Sequence, residues 1–228
     1  MGFKKGRQYA TTWLERADFR GYWNSTQTIG GIKYSHIDCC VEALKRDPEY
    51  AEAWCKLGLK ITKMGSGEDT DKTLAGMDLF KDEPKITDNK RLYSAHINAA
   101  KFCFDKAIEI EPKYVDAWYG KGSWCLEWRP PDLKEGIECF LEVTKLDPKH
   151  KTAWFDLANA YSSSYSLEYA KAVKCYDEAI ALSPDNLHVV YAKKADLFCE
   201  CVNMKRVKLK ATSKNPAHAY PTPFNFLG

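Results

Sequence analysis

The sequence predicts an all-α fold in which pairs of helices stack into a solenoid. Three observations carry this: one phrase recurs four times, a second phrase follows it three times, and small and aromatic residues keep the same offsets in each unit. The first phrase reads CCVEALKRDP (39–48), CFDKAIEIEP (103–112), CFLEVTKLDP (139–148) and CYDEAIALSP (175–184). The second reads EYAEAWCKLG from Glu49, KYVDAWYGKG from Lys113 and KHKTAWFDLA from Lys149. Prolines recur at 48, 112, 148 and 184, so the spacings are 64, 36 and 36. A helix-turn-helix unit of about 34 residues accounts for the short spacings, and about thirty inserted residues account for the long one.

Upstream of Pro48 the chain holds one further unit, with a first helix around Gln8 to Phe19, a loop over Gly21 to Gly31, and a second helix around Tyr34 to Lys45. The second unit spans 51–112 and carries the insertion, residues 65–96. The insertion opens GSGEDTDK, continues as a short helix at Leu74 to Phe80, and breaks at Pro84. Thr87 or Asp88 is placed to cap a long helix running to about Ile110, which is expected to stand proud of its neighbours as a candidate contact element. In the third unit, 115–148, Arg129-Pro130-Pro131 stops the first helix, and Asp132 with Glu135 forms a capping box for the second. The fourth unit covers 151–184, and residues 187 to about 210 suit a terminal capping helix. The whole, 1–214, is expected to be one array, followed by a tail over 215–228 with three prolines and three aromatics.

The spacing resembles the tetratricopeptide repeat (TPR) family, whose pattern is W-x-x-L-G-x-x-Y, then A-x-x-x-F, then a helix-ending Pro. Trp54, Leu57, Gly58 and Ile61, then Ala100, Phe104 and Pro112, fit it. So do Trp154, Leu157, Ala158 and Tyr161, then Ala172, Tyr176 and Pro184. Trp118, Gly122 and Cys125, then Gly136, Phe140 and Pro148, fit with Lys121 in the leucine place. The resemblance implies a right-handed superhelical solenoid with a C-terminal capping helix. The residues support the stacking independently: Gly58, Gly122 and Ala158 allow close helix approach, and Phe104, Phe140 and Tyr176 fill the space beside them.

Composition narrows the function. Charged residues make up 29 % with a net charge of +3, which argues against a strongly cationic nucleic-acid binder and against disorder. The basic run Lys205, Arg206, Lys208, Lys210 and Lys214 reads as a solvated helix end, with weak binding of nucleic acid or an anionic partner as the lesser alternative. No stretch approaches the roughly 20 apolar residues of a membrane span, and the first residues lack a secretory apolar run, so a cytoplasmic protein is expected. Nine cysteines without C-x-x-C spacing read as buried apolar side chains, with Cys39, Cys103, Cys139 and Cys175 at one repeating position. The calcium-loop reading of Asp69 to Phe80 fails, because the sixth place holds Leu74 and the twelfth holds Phe80. No nucleotide-binding or hydrolase string appears and the five histidines are scattered singly, so no enzyme, metal or cofactor is expected.

The resemblance further implies a concave wall built from the first helix of each unit, and a peptide bound there. In this frame the wall consists of Glu52, Cys55, Lys56, Leu59, Asp116, Tyr119, Ser123, Phe155, Asp156, Asn159 and Tyr191, with Thr152 beside them. Some family members grip a chaperone C-terminal carboxylate through Lys, Asn and Arg. Those places here hold Cys55, Leu59, Gly120, Thr152 and Asp156, so that clamp is absent. The expected function is a protein-interaction scaffold holding a peptide or protein segment, with no small-molecule substrate and with nucleic acid disfavoured as a partner. Self-association through the tail around Phe224 and Phe226 is the alternative, making a homo-oligomer.

Overall fold

A computed structural model describes residues 2–18, 26–64, 77–80, 95–127, 131–163, 168–182 and 189–199. The order is helix α1 (Gly2–Arg16), strands β1 (Thr26–Ile29) and β2 (Ile32–Ser35), then helices α2 (His36–Arg46) and α3 (Ala51–Met64). After a 3-10 turn at Asp78–Phe80 come α4 (Ala95–Ile110), α5 (Val115–Glu127), α6 (Leu133–Leu146), α7 (Lys151–Ser162) and α8 (Tyr169–Leu182). A further helix, α9, covers 189–199. The helices pack as successive pairs, α1 on α2, α3 on α4, α5 on α6 and α7 on α8, and α5 also touches the first helices on either side of it, α3 and α7.

The two middle pairs are each closed by an aromatic ring set against glycine. The Phe104 ring on α4 lies between Gly58 of α3 and Gly120 of α5, and a Cβ on either glycine would come within 3.0 Å of it. Phe140 on α6 meets Gly122 in the same way. Phe104 and Phe140 are 0 % exposed and Tyr176 is 1 % exposed, so these three rings form the spine of the stack. The three units from α3 onward also carry one latch each: Trp54 Nε1 donates to Pro48 O at 2.7 Å, Trp118 Nε1 to Pro112 O at 2.9 Å and Trp154 Nε1 to Pro148 O at 2.9 Å. Each indole thereby ties a first helix to the turn before it, using a carbonyl that the preceding helix has no further use for.

The segment expected as a loop over 21–31 is in part a β-hairpin. Its strands pair Thr26 with Ser35 and Ile29 with Ile32, and Gly30 and Gly31 take φ of 59° and 84°. Two consecutive positive φ values are the requirement of a two-residue hairpin turn, which glycine meets without a Cβ clash. Gln27 Nε2 donates to Arg16 O at 2.8 Å, and His36 Nδ1 donates to Ala17 O at 2.7 Å, so the hairpin and the first residue of α2 together seal the end of α1. Ser35 then caps α2 in a full capping box with Asp38.

Two other expectations change. The Asp132 side chain accepts from Glu135 N at 3.1 Å, but the Glu135 carboxylate turns away to Lys101 and Lys121, leaving half of the expected box. Within the insertion, Phe80 is 0 % exposed and packs edge-on against Phe102 at 5.8 Å, so this part returns to the core, while the stretch before Ala95 of the long helix expected to stand proud lies outside the described residues. Of the expected helix at 74–80, only the end lies in the described residues, with Asp78–Phe80 as a 3-10 turn. The expected caps Thr87 and Asp88, the capping-helix residues beyond 199, and the tail lie outside them.

The least regular unit acquires a physical explanation. Lys121, in place of the usual leucine, sits between Asp105 of α4 at 2.6 Å and Glu135 of α6 at 2.9 Å. Lys101 bridges the same two carboxylates from α4, so two cations and two anions close a box across three helices. The Lys121 side chain is only 13 % exposed. Burial works against its charged form, but the two carboxylates override burial and hold its amine above the usual range.

Candidate functional site

The first helices α3, α5, α7 and α9 supply the candidate residues. At the N-terminal end Glu52 pairs with Lys56 at 3.1 Å and accepts from Tyr50 Oη at 3.0 Å, while Lys56 also reaches Asp18 of the preceding unit. Leu59 is half-buried against the core. Cys55 is 1 % exposed, enclosed near Tyr114 and Asp116 where α5 packs on α3, so it is a packing residue and presents nothing to a ligand. Burial pushes its thiol up to about 12.

The C-terminal half is organised differently. Tyr119 Oη on α5 donates to Asp156 Oδ2 on α7 at 2.9 Å, with Ser123 and Thr152 as further hydrogen-bond partners of that hydroxyl. Its ring lies 4.7 Å from His150, whose Nδ1 accepts from Ala153 N and so caps α7. Asn159, which also hydrogen-bonds to Asp156, accepts from Tyr176 Oη of α8 at 2.8 Å. The Phe155 ring stands 5.9 Å from that of Tyr176. Tyr119, Asp156, Asn159 and Tyr176 thus form one hydrogen-bonded chain crossing α5, α7 and α8.

The carboxylate at its centre is energetically awkward. Burial raises the Asp156 carboxyl above its ordinary range, and the hydrogen bonds from Tyr119 and Asn159 and the nearness of His150 only partly offset this. Among the described residues no lysine or arginine forms an ion pair with it, whereas Glu52 pairs with Lys56, and Asp105 with both Lys101 and Lys121. Beside the chain is a recess of about 350 Å³ lined by Phe155, Asn159, Ser162, Tyr176, Lys193, Asp196 and Leu197. Asp116 is exposed, and Tyr191 on α9 is 52 % exposed. The arrangement offers hydrogen-bond acceptors and flat rings side by side, which suits a polar backbone with apolar side chains. His150, Ser162, Lys193 and Asp196 were absent from the sequence-derived wall. Only His150 left a local signal, as the residue immediately before a helix.

No family model and no curated protein matches the sequence. Solved structures do match. A crystal structure of MamA protein aligns at TM-score 0.54 and 15 % identity, over 96 % of this chain and 100 % of that one. MamA residues 41 to the end from Desulfovibrio magneticus RS-1 align at TM-score 0.51 and 15 % identity, over 94 % and 98 % of the two chains. With the latched, ring-on-glycine helix pairs already described, the architecture is decided. The chain has a tetratricopeptide-like fold. YrrB, described as a TPR protein with an unusual peptide-binding site, aligns more loosely at TM-score 0.42 and 21 % identity, over 84 % and 92 % of the two chains.

Within this tetratricopeptide-like array no helix among the described residues is long and apolar enough to cross a membrane. Seven of the described cysteines are buried and unbridged, while Cys199 is exposed.

Proposed function

We propose that the protein is a non-enzymatic scaffold that holds a peptide or protein segment against the wall formed by α5, α7 and α9. The observation that carries this is the Tyr119–Asp156–Asn159–Tyr176 chain. A half-buried carboxylate without an ion-pair partner lowers fold stability relative to an apolar side chain, yet here it is held in place by hydrogen-bonding neighbours beside a recess. A ligand donor, either a backbone N–H or a Lys or Arg side chain, would complete it, and Phe155 would pack against the neighbouring side chain. The proposal includes a reducing, cytoplasmic setting, supported by the buried unbridged thiols.

The test is capture of partners from the native cell extract by the intact chain, by a Tyr119→Ala/Phe155→Ala/Asp156→Ala variant, and by a Leu141→Ser control on the outer face, with helicity of all three checked by circular dichroism. A protein retained by the first and third and lost by the second supports the wall. Equal capture by all three ends it.

A further inference from the structure

Tyr191 and Phe198 on α9 are each 52 % exposed, and seven residues apart they share one helix face about 10 Å from end to end. The adjoining flank of α9 is seated on the array through Val190 and Leu197, at 7 % and 2 % exposure, and through the Lys194–Asp177 ion pair with α8. Terminal helices of a stack ordinarily turn a polar face outward. The two exposed rings depart from this, and Lys193 and Asp196 line the recess beside Phe155 instead.

Earlier units show what covers such a ring. Tyr119 holds the place on α5 that Tyr191 holds on α9, and it is covered by later parts of the chain, through His150 and Asp156. Phe155, at the same place on α7, likewise borders a recess whose far side is α9. The ring in each unit is closed by the next stretch of chain. Beyond Tyr191 and Phe198 the sequence runs through a spacer, residues 200–214, to NPAHAYPTPFNFLG, whose Tyr220, Phe224, Phe226 and Leu227 are its large apolar side chains. At a contour of at most about 3.5 Å per residue a spacer of that length can return along α9, and tethering raises the local concentration to about the millimolar range.

We propose that residues 215–228 dock intramolecularly on the Tyr191–Phe198 face of α9, standing in for a further unit and competing with ligands that approach the C-terminal end of the wall. The proposal shares only Tyr191 with the candidate wall. It is tested with the whole chain and a fluorescein-labelled synthetic peptide of residues 215–228, read by anisotropy. The Phe224→Ser/Phe226→Ser chain, whose own segment is disabled, binds the peptide at least about tenfold more tightly than the native chain does. Adding Tyr191→Ser and Phe198→Ser to that variant abolishes binding, and the native chain and both variants have monomer mass in solution. Absence of peptide binding to the Phe224→Ser/Phe226→Ser chain, or binding indifferent to Tyr191 and Phe198, overturns the proposal. So does a native oligomer that dissociates on the Phe224→Ser/Phe226→Ser change, because the occupant is then a second copy. Partner capture lost through Tyr119 and Phe155 stands or falls separately from all of these outcomes.

Discussion

A Cβ added to Gly120 would lie 2.5 Å from Cε1 of Phe104, closer than any relaxed carbon contact. The same ring is approached from the other side by Gly58 at 3.0 Å, so it cannot retreat from one helix without meeting the other. Gly120→Ala gains helix propensity of about 1 kcal/mol. The overpacking outweighs it, and a net loss of about 1–2 kcal/mol is expected. Urea unfolding measures it, with Gly136→Ala as the comparison, because the nearest atom to a Cβ there is a side-chain carbon of Cys125 at 3.3 Å. A Gly120→Ala protein as stable as the parent would mean that Phe104 has room to move.

Lys121→Met removes one cation from a box in which Lys101 remains to serve both Asp105 and Glu135. The residual imbalance costs about 1–3 kcal/mol at low salt, and added salt narrows the difference because the carboxylates are only partly buried. Thermal unfolding in low and high sodium chloride reads both effects. A variant that is more stable than the parent at every salt concentration would show that leucine-like packing outweighs the ionic box.

Asp156→Asn separates a ligand-binding role from a folding one. The folded-state pKa is raised by burial, so the folded chain binds this proton more readily than the unfolded chain, and ionisation of Asp156 reduces stability as pH rises through the carboxylate range. The amide keeps an acceptor for Tyr119 without that ionisation. The variant therefore unfolds at a higher temperature than the parent at pH 7, and the difference closes as the pH falls below the ordinary carboxylate value. Partner binding drops at the same time if the carboxylate serves a ligand.

The cysteines make an alkaline prediction. Burial raises the thiols of Cys40, Cys55 and Cys139 from 9.0 to about 12 and that of Cys175 to about 11. They stay protonated in the fold at pH values where the unfolded chain ionises. Stability is therefore undiminished by them below pH 9 and falls as pH rises from 9 toward 12. At a pH of about 8, just below the ordinary thiol range, a maleimide labels Cys199 rapidly, and the seven buried thiols react only on denaturation, as mass spectrometry of peptides will show. Fast labelling of Cys103, which is 0 % exposed, would contradict the packing.

The stack was legible in sequence because its determinants recur at fixed offsets: Trp54, Trp118 and Trp154 against the prolines, and Phe104, Phe140 and Tyr176 against small residues. Pairings between units escaped. The glycine that most tightly confines Phe104 is Gly120, off the repeated place held by Gly122, and the meaning of Lys121 depends on acids contributed by two other helices. The hairpin had its signal in Gly30-Gly31 between TQTI and IKYS, but strands of four residues inside a helical array are easily taken for a connection. At the candidate site Tyr119 and Asp156 could each be named, while the bond joining them runs between units and has no fixed sequence offset. Cys55 was misplaced because its neighbours on α5 close over it, which a helix-by-helix frame does not register.

The indole latches span only six residues each, from Pro48 to Trp54, Pro112 to Trp118 and Pro148 to Trp154. Because these closures are local, pulling on the two ends of the chain meets the units in series, and extension proceeds as a succession of small ruptures with no single dominant force peak. The same locality lets a unit bounded by its own latch be duplicated or excised with little disturbance to the remaining seams, so length is the property of this array most readily changed by engineering.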